Sequence, residues 1–280
     1  MPKDEDSNLS RRKLLGGTAA LMSGSVLGGL LTACSERPAD EPTQKPETAG
    51  EEPPPLPWSW PGLDPMEAGR RAYQNYFKGG CGHGAYSALL SLLKEKAGYP
   101  WTTLPERMMV HAAAGYGGHG TLCGSLGGAS LIVNLVAYEE GEPLHQQLID
   151  RLYHWYAEQN FPPKRFDDIS KMPDQVQVQA MTPLCHTSVT KWMNVANATV
   201  TSLEKKERCA KVTGEVVYVT TMALNEYAAG KWTPVAWKPS KETRHCVTCH
   251  GPDDMFHTKA SKNSQQGHME CVLCHDDHTK

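Results

Sequence analysis

Apolar residues recur at a helical period along most of residues 64–228. Asp64 followed by Pro65 is a helix start, a capping side chain with proline at the first helical position. The amphipathic run behind it, 66–78, stops at Gly79-Gly80. A second helix is expected over 85–97 with a glycine stop at Gly98, and a third over 103–115, entered through Pro105. Residues 122–141 are apolar nearly all round, the pattern of a helix buried at the centre of a fold. Residues 142–160 are amphipathic and halt before Pro162-Pro163. Two more helices are expected over 186–198 and 204–230, where β-branched residues weaken the local preference. Gln175 to Gln179 alternates and predicts a short strand. The expected fold class is mainly α: a helical globular domain followed by an irregular C-terminal segment.

The pattern changes at both ends. Arg11-Arg12 precedes a glycine- and alanine-rich apolar stretch that closes on Leu31-Thr32-Ala33-Cys34. This is a twin-arginine export signal ending in a lipobox, with Cys34 lipidated as the mature N-terminus. An uncleaved membrane anchor is the alternative, but five glycines in the apolar run disfavour it. Residues 35–62 are rich in Pro and Glu and read as a disordered tether. The chain thus divides into a signal peptide (1–33), a tether (34–62), a cysteine-containing body (63–240) and a tail (241–280). Expected residence is the periplasm or the outer face of a membrane, held by the lipid. Beyond residue 33 there are 24 basic and 28 acidic side chains, a balance that argues against charge-driven nucleic-acid binding.

The tail carries the most specific chemistry. Cys246-Val-Thr-Cys249-His250 and Cys271-Val-Leu-Cys274-His275 both read C-x-x-C-H, the attachment site of c-type haem. Two thiols on a short loop bond the two vinyl groups of one haem, and the next residue becomes the proximal iron ligand. A zinc ribbon would use the same four thiols but gives no reason for a His after each pair. Six of the twelve histidines lie in the last thirty-six residues. His268 and His257 are the candidate distal ligands, with His245 and His278 weaker ones. Met255 and Met269 compete, but a His/Met pair raises the potential, and two low-potential bis-His haems are expected.

Cys81, Cys123, Cys185 and Cys209 remain, dispersed through the body. Three readings compete: disulfides, the default in an oxidising compartment; an iron–sulfur centre with thiolates from separate elements; and structural zinc, which usually shows closer pairs. Twin-arginine substrates are exported folded, and cluster insertion is cytoplasmic, which favours the cluster. His83, two residues past Cys81, is an extra candidate ligand. Tyr153, Trp155, Tyr156 and Phe161 are expected to pack in the core, and His145, His154, His111, His119 and His186 to have ordinary structural roles.

The order Cys81, Leu122-Cys123-Gly124-Ser125-Leu126-Gly127, Cys185, Cys209 resembles the family of redox proteins named after its C-GCAxxG-C-C pattern. With the two C-x-x-C-H motifs added, residues 64–280 resemble the split-Soret cytochromes c. The resemblance implies a mainly helical homodimer with two stacked bis-His haems c per subunit and an iron–sulfur centre whose candidate ligands are Cys81, Cys123, Cys185 and Cys209. The match departs where Leu122 and Gly124 replace the pattern's Gly and Ala. The implied function is extracytoplasmic electron transfer in anaerobic respiration, with protein redox partners. The alternative is an oxidoreductase whose cysteine-ligated centre reduces a small molecule, fed by the haems.

Overall fold

The computed structural model describes residues 52–235, 237–251 and 267–278. The signal peptide, Cys34, His257 and Met255 lie outside the described residues. The fold is mainly α, with six helices and one two-stranded antiparallel sheet among the described residues. No helix there is long and apolar enough to cross a membrane.

The first helix, α1, spans Pro65–Ala97. Asp64 caps it by accepting the Glu67 N–H at 2.7 Å, with Pro65 in the first turn. Two helices are expected here, split at Gly79-Gly80. The structure bears the split out as two helical segments of α1 joined by a kink at that pair: neither glycine is helical, Gly80 takes a φ of +83°, which side-chain-bearing residues rarely adopt, and the second segment begins at once with Cys81. Gly98 ends it as expected, its N–H reaching the Lys94 carbonyl.

Helices α2 (Gly124–Ala137) and α5 (Leu203–Ala228) flank α1. The all-round apolarity of α2 is borne out by its place in the core between α1, α3 (Leu144–Glu158) and α5. Leu89, Leu92 and Leu93 of α1 share that core with Val133 and Val136 of α2 and with Val217 and Leu224 of α5. The β-branched α5 is a full helix. Its buried Thr213, Thr220 and Thr221 donate their hydroxyls to the carbonyls four residues back, so they enter the core with no unpaired oxygen. Strands β1 (Asn160–Phe161) and β2 (Val178–Gln179) pair between α3 and α4 (Cys185–Ala196). The strand expected over 175–179 is realised only at its end.

Two expectations differ from what is seen. Residues 103–115 are turns with a single 3-10 turn at Val110–Ala112, not a helix. Leu104, before Pro105, is extended, and Ala114, Gly115 and Tyr116 all have positive φ. Residues 52–62, read from composition as part of the tether, lie against the body. Trp58 is buried, meets Trp101 edge-on at 5.0 Å and donates its backbone N–H to the Leu135 carbonyl. The Trp60 indole donates to Asn225 Oδ1. Three apolar side chains among the prolines, Leu56, Trp58 and Trp60, outweigh the polar composition. Replacing Trp58 by Ala is expected to cost about 3–5 kcal/mol, as buried tryptophan truncations do. Thermal unfolding followed by far-UV circular dichroism tests it; an unchanged midpoint would mean that the segment is only a leash.

Candidate redox sites in the body and the tail

The four dispersed cysteines converge. Each comes from a different helix, and three sit where a helix begins: Cys81 opens the second half of α1, Cys123 caps α2, and Cys185 is the first residue of α4. A helix N-terminus favours negative charge, so these positions suit thiolates. Backbone pairing holds two of them side by side. Cys185 N donates to the Thr121 carbonyl, Cys123 N donates to that of Pro183, and Leu122 bridges Leu184. The turns of 113–120, with their run of positive φ, deliver that edge: the Gly120 carbonyl accepts the His186 N–H. Cys209 arrives from α5.

No described cysteine is bonded to another, so the disulfide alternative is not realised. Burial, then the charges of Cys123 and Cys209, push the Cys81 thiol up to about 12. Cys185 is raised the same way, by burial first and then by Cys123, Cys209 and Cys81. Cys81 and Cys185 therefore both lie close to Cys123 and Cys209. Yet no three of the sulphurs lie within 4.8 Å of one another among the described residues. Tetrahedral zinc, with Zn–S bonds of ~2.3 Å, holds thiolates roughly 4 Å apart. Among the described residues the thiols are therefore not drawn up at the spacing of a closed zinc site.

The surroundings supply the matching charge. Arg208 is 1% exposed and is paired with no carboxylate among the described residues. It donates to Cys209 Sγ at 3.9 Å and to the carbonyl and hydroxyl oxygens of Ser188, and its Nε has no partner. Burial opposes this charge, but Cys209 and Tyr156 outweigh it and hold the guanidinium above its usual range. A buried cation needs a counter-charge, and thiolates are what the site offers. Two phenols complete the shell. Tyr76 lies beside Cys209 and Tyr156 beside Cys123, and burial raises both phenols well above the usual range. These residues fit an anionic iron–sulfur centre.

One of the two departures from the C-GCAxxG-C-C pattern, Gly124, has a local cause. A Cβ on Gly124 would lie 2.7 Å from Cys81 Sγ and 2.2 Å from the Ala112 carbonyl oxygen. A Cβ on Gly127 would lie 1.9 Å from the Tyr116 hydroxyl. Gly124 is thus held by close approach to Cys81 and the Ala112 carbonyl, and Gly127, which matches the pattern, by close approach to Tyr116. His83 is buried against the Glu106 carbonyl, and its charged neighbours are Glu106, Arg107 and Lys78 rather than the cysteines.

The tail is less irregular than expected at its start. Helix α6 (Lys241–His250) carries the first pentapeptide, so Cys246, Cys249 and His250, at i, i+3 and i+4, share one face. Residues Cys271–Leu273 of the second pentapeptide form a 3-10 turn. The two motifs are neighbours: the Cys271 N–H donates to Thr243 of α6, and burial first, then the nearby Cys246, raises the Cys271 thiol. Cys249 and Cys274 are exposed. His278 meets the His250 ring edge-on at 5.8 Å.

Behind the second motif lies a cavity of about 660 Å³, walled by α3, by residues 179–184 and by Trp237, and closed by residues 267–273. His268 stands at its rim, Nδ1 on Asp150 Oδ1 at 2.9 Å and its ring stacked on Trp237 at 4.9 Å. The carboxylate fixes Nδ1 as the protonated nitrogen and leaves Nε2 for a metal. His154, given an ordinary role from sequence, lies there too, 3.3 Å from Asp150 and stacked on the same indole. Burial, above all, holds it below the usual range. The available signal was the i, i+4 spacing of Asp150 and His154. His111, His119 and His186 are exposed on the body, and His145 packs on Tyr138. Tyr156 and Phe161 are core residues as expected, whereas Tyr153 lines the cavity.

Comparison with known proteins agrees with this geometry. Residues 86–222 match the family described as "Putative redox-active protein (C_GCAxxG_C_C)", a span holding Cys123, Cys185 and Cys209. The split-Soret cytochrome c of Desulfovibrio desulfuricans is 28% identical over 277 residues, 96% of this chain and 95% of that protein. A solved structure described as a novel iron centre in the split-Soret cytochrome c from the same organism superposes with a TM-score of 0.67 over 78% of this chain and 90% of that one. Over nearly its whole length, body and tail together, the chain is thus similar to split-Soret cytochrome c.

Proposed function

We propose that this protein is an extracytoplasmic electron carrier. Cys246 and Cys249 fix one haem c with His250 as proximal ligand, and Cys271 and Cys274 fix a second with His275. His268 and His257 serve as distal ligands. Cys81, Cys123, Cys185 and Cys209 hold an iron–sulfur centre, in keeping with the iron centre named for the relative. The chain works as a homodimer, exported by the twin-arginine route and tethered through lipid on Cys34, and exchanges electrons with protein partners.

One observation carries the reading. Leu122 and Leu184 line the cavity behind the second haem motif, and the residue after each is a cysteine of the body cluster. A single wall, one residue thick, therefore separates the proposed haem seat from the proposed iron site. When bound, the haems and the iron centre each take up and release single electrons. The residues around them tune that chemistry: Arg208 offsets negative charge, the buried phenols of Tyr76 and Tyr156 stand beside sulphur, and Asp150 orients the His268 ring.

The test is an absorption spectrum of the matured protein, oxidised and dithionite-reduced, with an iron assay. Two haems per chain, a divided Soret band on reduction and iron in excess of the haem iron are expected. A single Soret band removes the stacking. Absence of haem absorption from a competent maturation host overturns the reading and returns zinc.

A further inference from the structure

Two haem motifs close in space need something to fix their mutual position, and neither motif contains it. Glu270, the residue before Cys271, supplies it. Its carboxylate reaches across to the start of α6, where one oxygen accepts the Ser240 backbone N–H at 3.0 Å and the other accepts the hydroxyls of both Ser240 and Thr243. Ser240 is the cap of α6 and accepts the Thr243 N–H. Thr243, fully buried, in turn accepts the Cys271 N–H at 3.1 Å. The circuit closes on itself: the residue preceding one haem cysteine binds the cap of the helix that carries the other pair, and that helix's threonine binds the haem cysteine's own backbone. Val247, a turn further along α6, is also buried. An anion at a helix N-terminus, with three donors on two oxygens, is a strong and directional lock.

We infer that Glu270 is the positioning residue that holds the two haem attachment sites in register. This rests on the proposed dihaem function and adds to it: the cysteines bind, whereas Glu270 sets how the bound groups lie against each other. A carboxylate is needed because it accepts from all three donors at once. A glutamine presents one acceptor oxygen and a competing NH2.

The experiment uses the full chain matured with covalent haem. Wild type, E270A, E270Q and E270D are compared for haem per chain, Soret splitting on reduction, and magnetic coupling between the ferric irons by electron paramagnetic resonance. E270A is expected to keep two haems per chain and the thermal midpoint of the body, but to lose the splitting and at least half of the inter-iron coupling. E270D should restore part of both, and E270Q little. An E270A protein with two haems and wild-type splitting and coupling overturns the inference. Should E270A fail to mature, E270Q is read by the same rule. An unsplit wild type would instead sink the stacked-haem reading, and the inter-iron coupling across the variants then decides the role of Glu270.

Discussion

Cys123→Ser is expected to abolish the non-haem iron and labile sulfide of the body while leaving both haems in place. Cys123 is buried at the cap of α2, pinned by the Pro183 carbonyl and reached by the Tyr156 hydroxyl. A serine hydroxyl fits the space but stays protonated near neutrality, and the soft, charged sulphur is lost. The damage spreads through Arg208. Removing one partner of a buried charge costs about 3–5 kcal/mol, and the guanidinium beside Cys209 has no carboxylate to turn to among the described residues. The variant should therefore melt well below wild type as well as lose iron. The measurement is iron and sulfide per haem on purified protein. An unchanged iron-to-haem ratio would sink the cluster.

The second large effect is expected at His268. In His268→Met one of the two haems should shift to higher potential, by on the order of 0.1 V, a fraction of the roughly 0.8 V that axial ligands span. In His268→Ala the same haem should gain a high-spin component and bind carbon monoxide when reduced. The ring is already oriented for ligation by the Asp150 carboxylate and the Trp237 indole, so Asp150→Asn should move the potential in the same direction by less. Potentiometric titration with electron paramagnetic resonance separates the outcomes. If both haems of His268→Ala stay low-spin and unmoved, the distal ligand is another residue, and His154, beside it, is next to be tested.

What could be read from the sequence was what is encoded locally. The C-x-x-C-H spacing is local, and so are the caps at Asp64 and Gly98 and the apolar run of α2. The failures share a different cause. The turns of 103–115 lie close against distant parts of the chain: Met109 and Ala112 approach Gly82 and Gly124 so nearly that a Cβ on either glycine would clash. Trp58 and Trp60 bury themselves because partners far along the chain, Leu135 and Asn225, are there to receive them. The body site shows the same divide. Its cysteines are visible as residues, but Arg208, Tyr76 and Tyr156 are marked by nothing until the helices bring them to sulphur. Asp150, His154 and Trp237 were missed likewise, being ordinary residues of an amphipathic helix and a proline-rich connector.

The docking of Trp58 and Trp60 changes a length. With residues 52–62 fastened to the body, an anchor at Cys34 is joined to it by seventeen residues instead of twenty-eight. At roughly 3.5 Å per residue that is at most about 60 Å of contour, against about 100 Å for the longer span. Under the lipid anchoring proposed at Cys34, the patrol radius above a bilayer would shrink accordingly, and electron donors and acceptors would have to present their exchange surfaces within that shell.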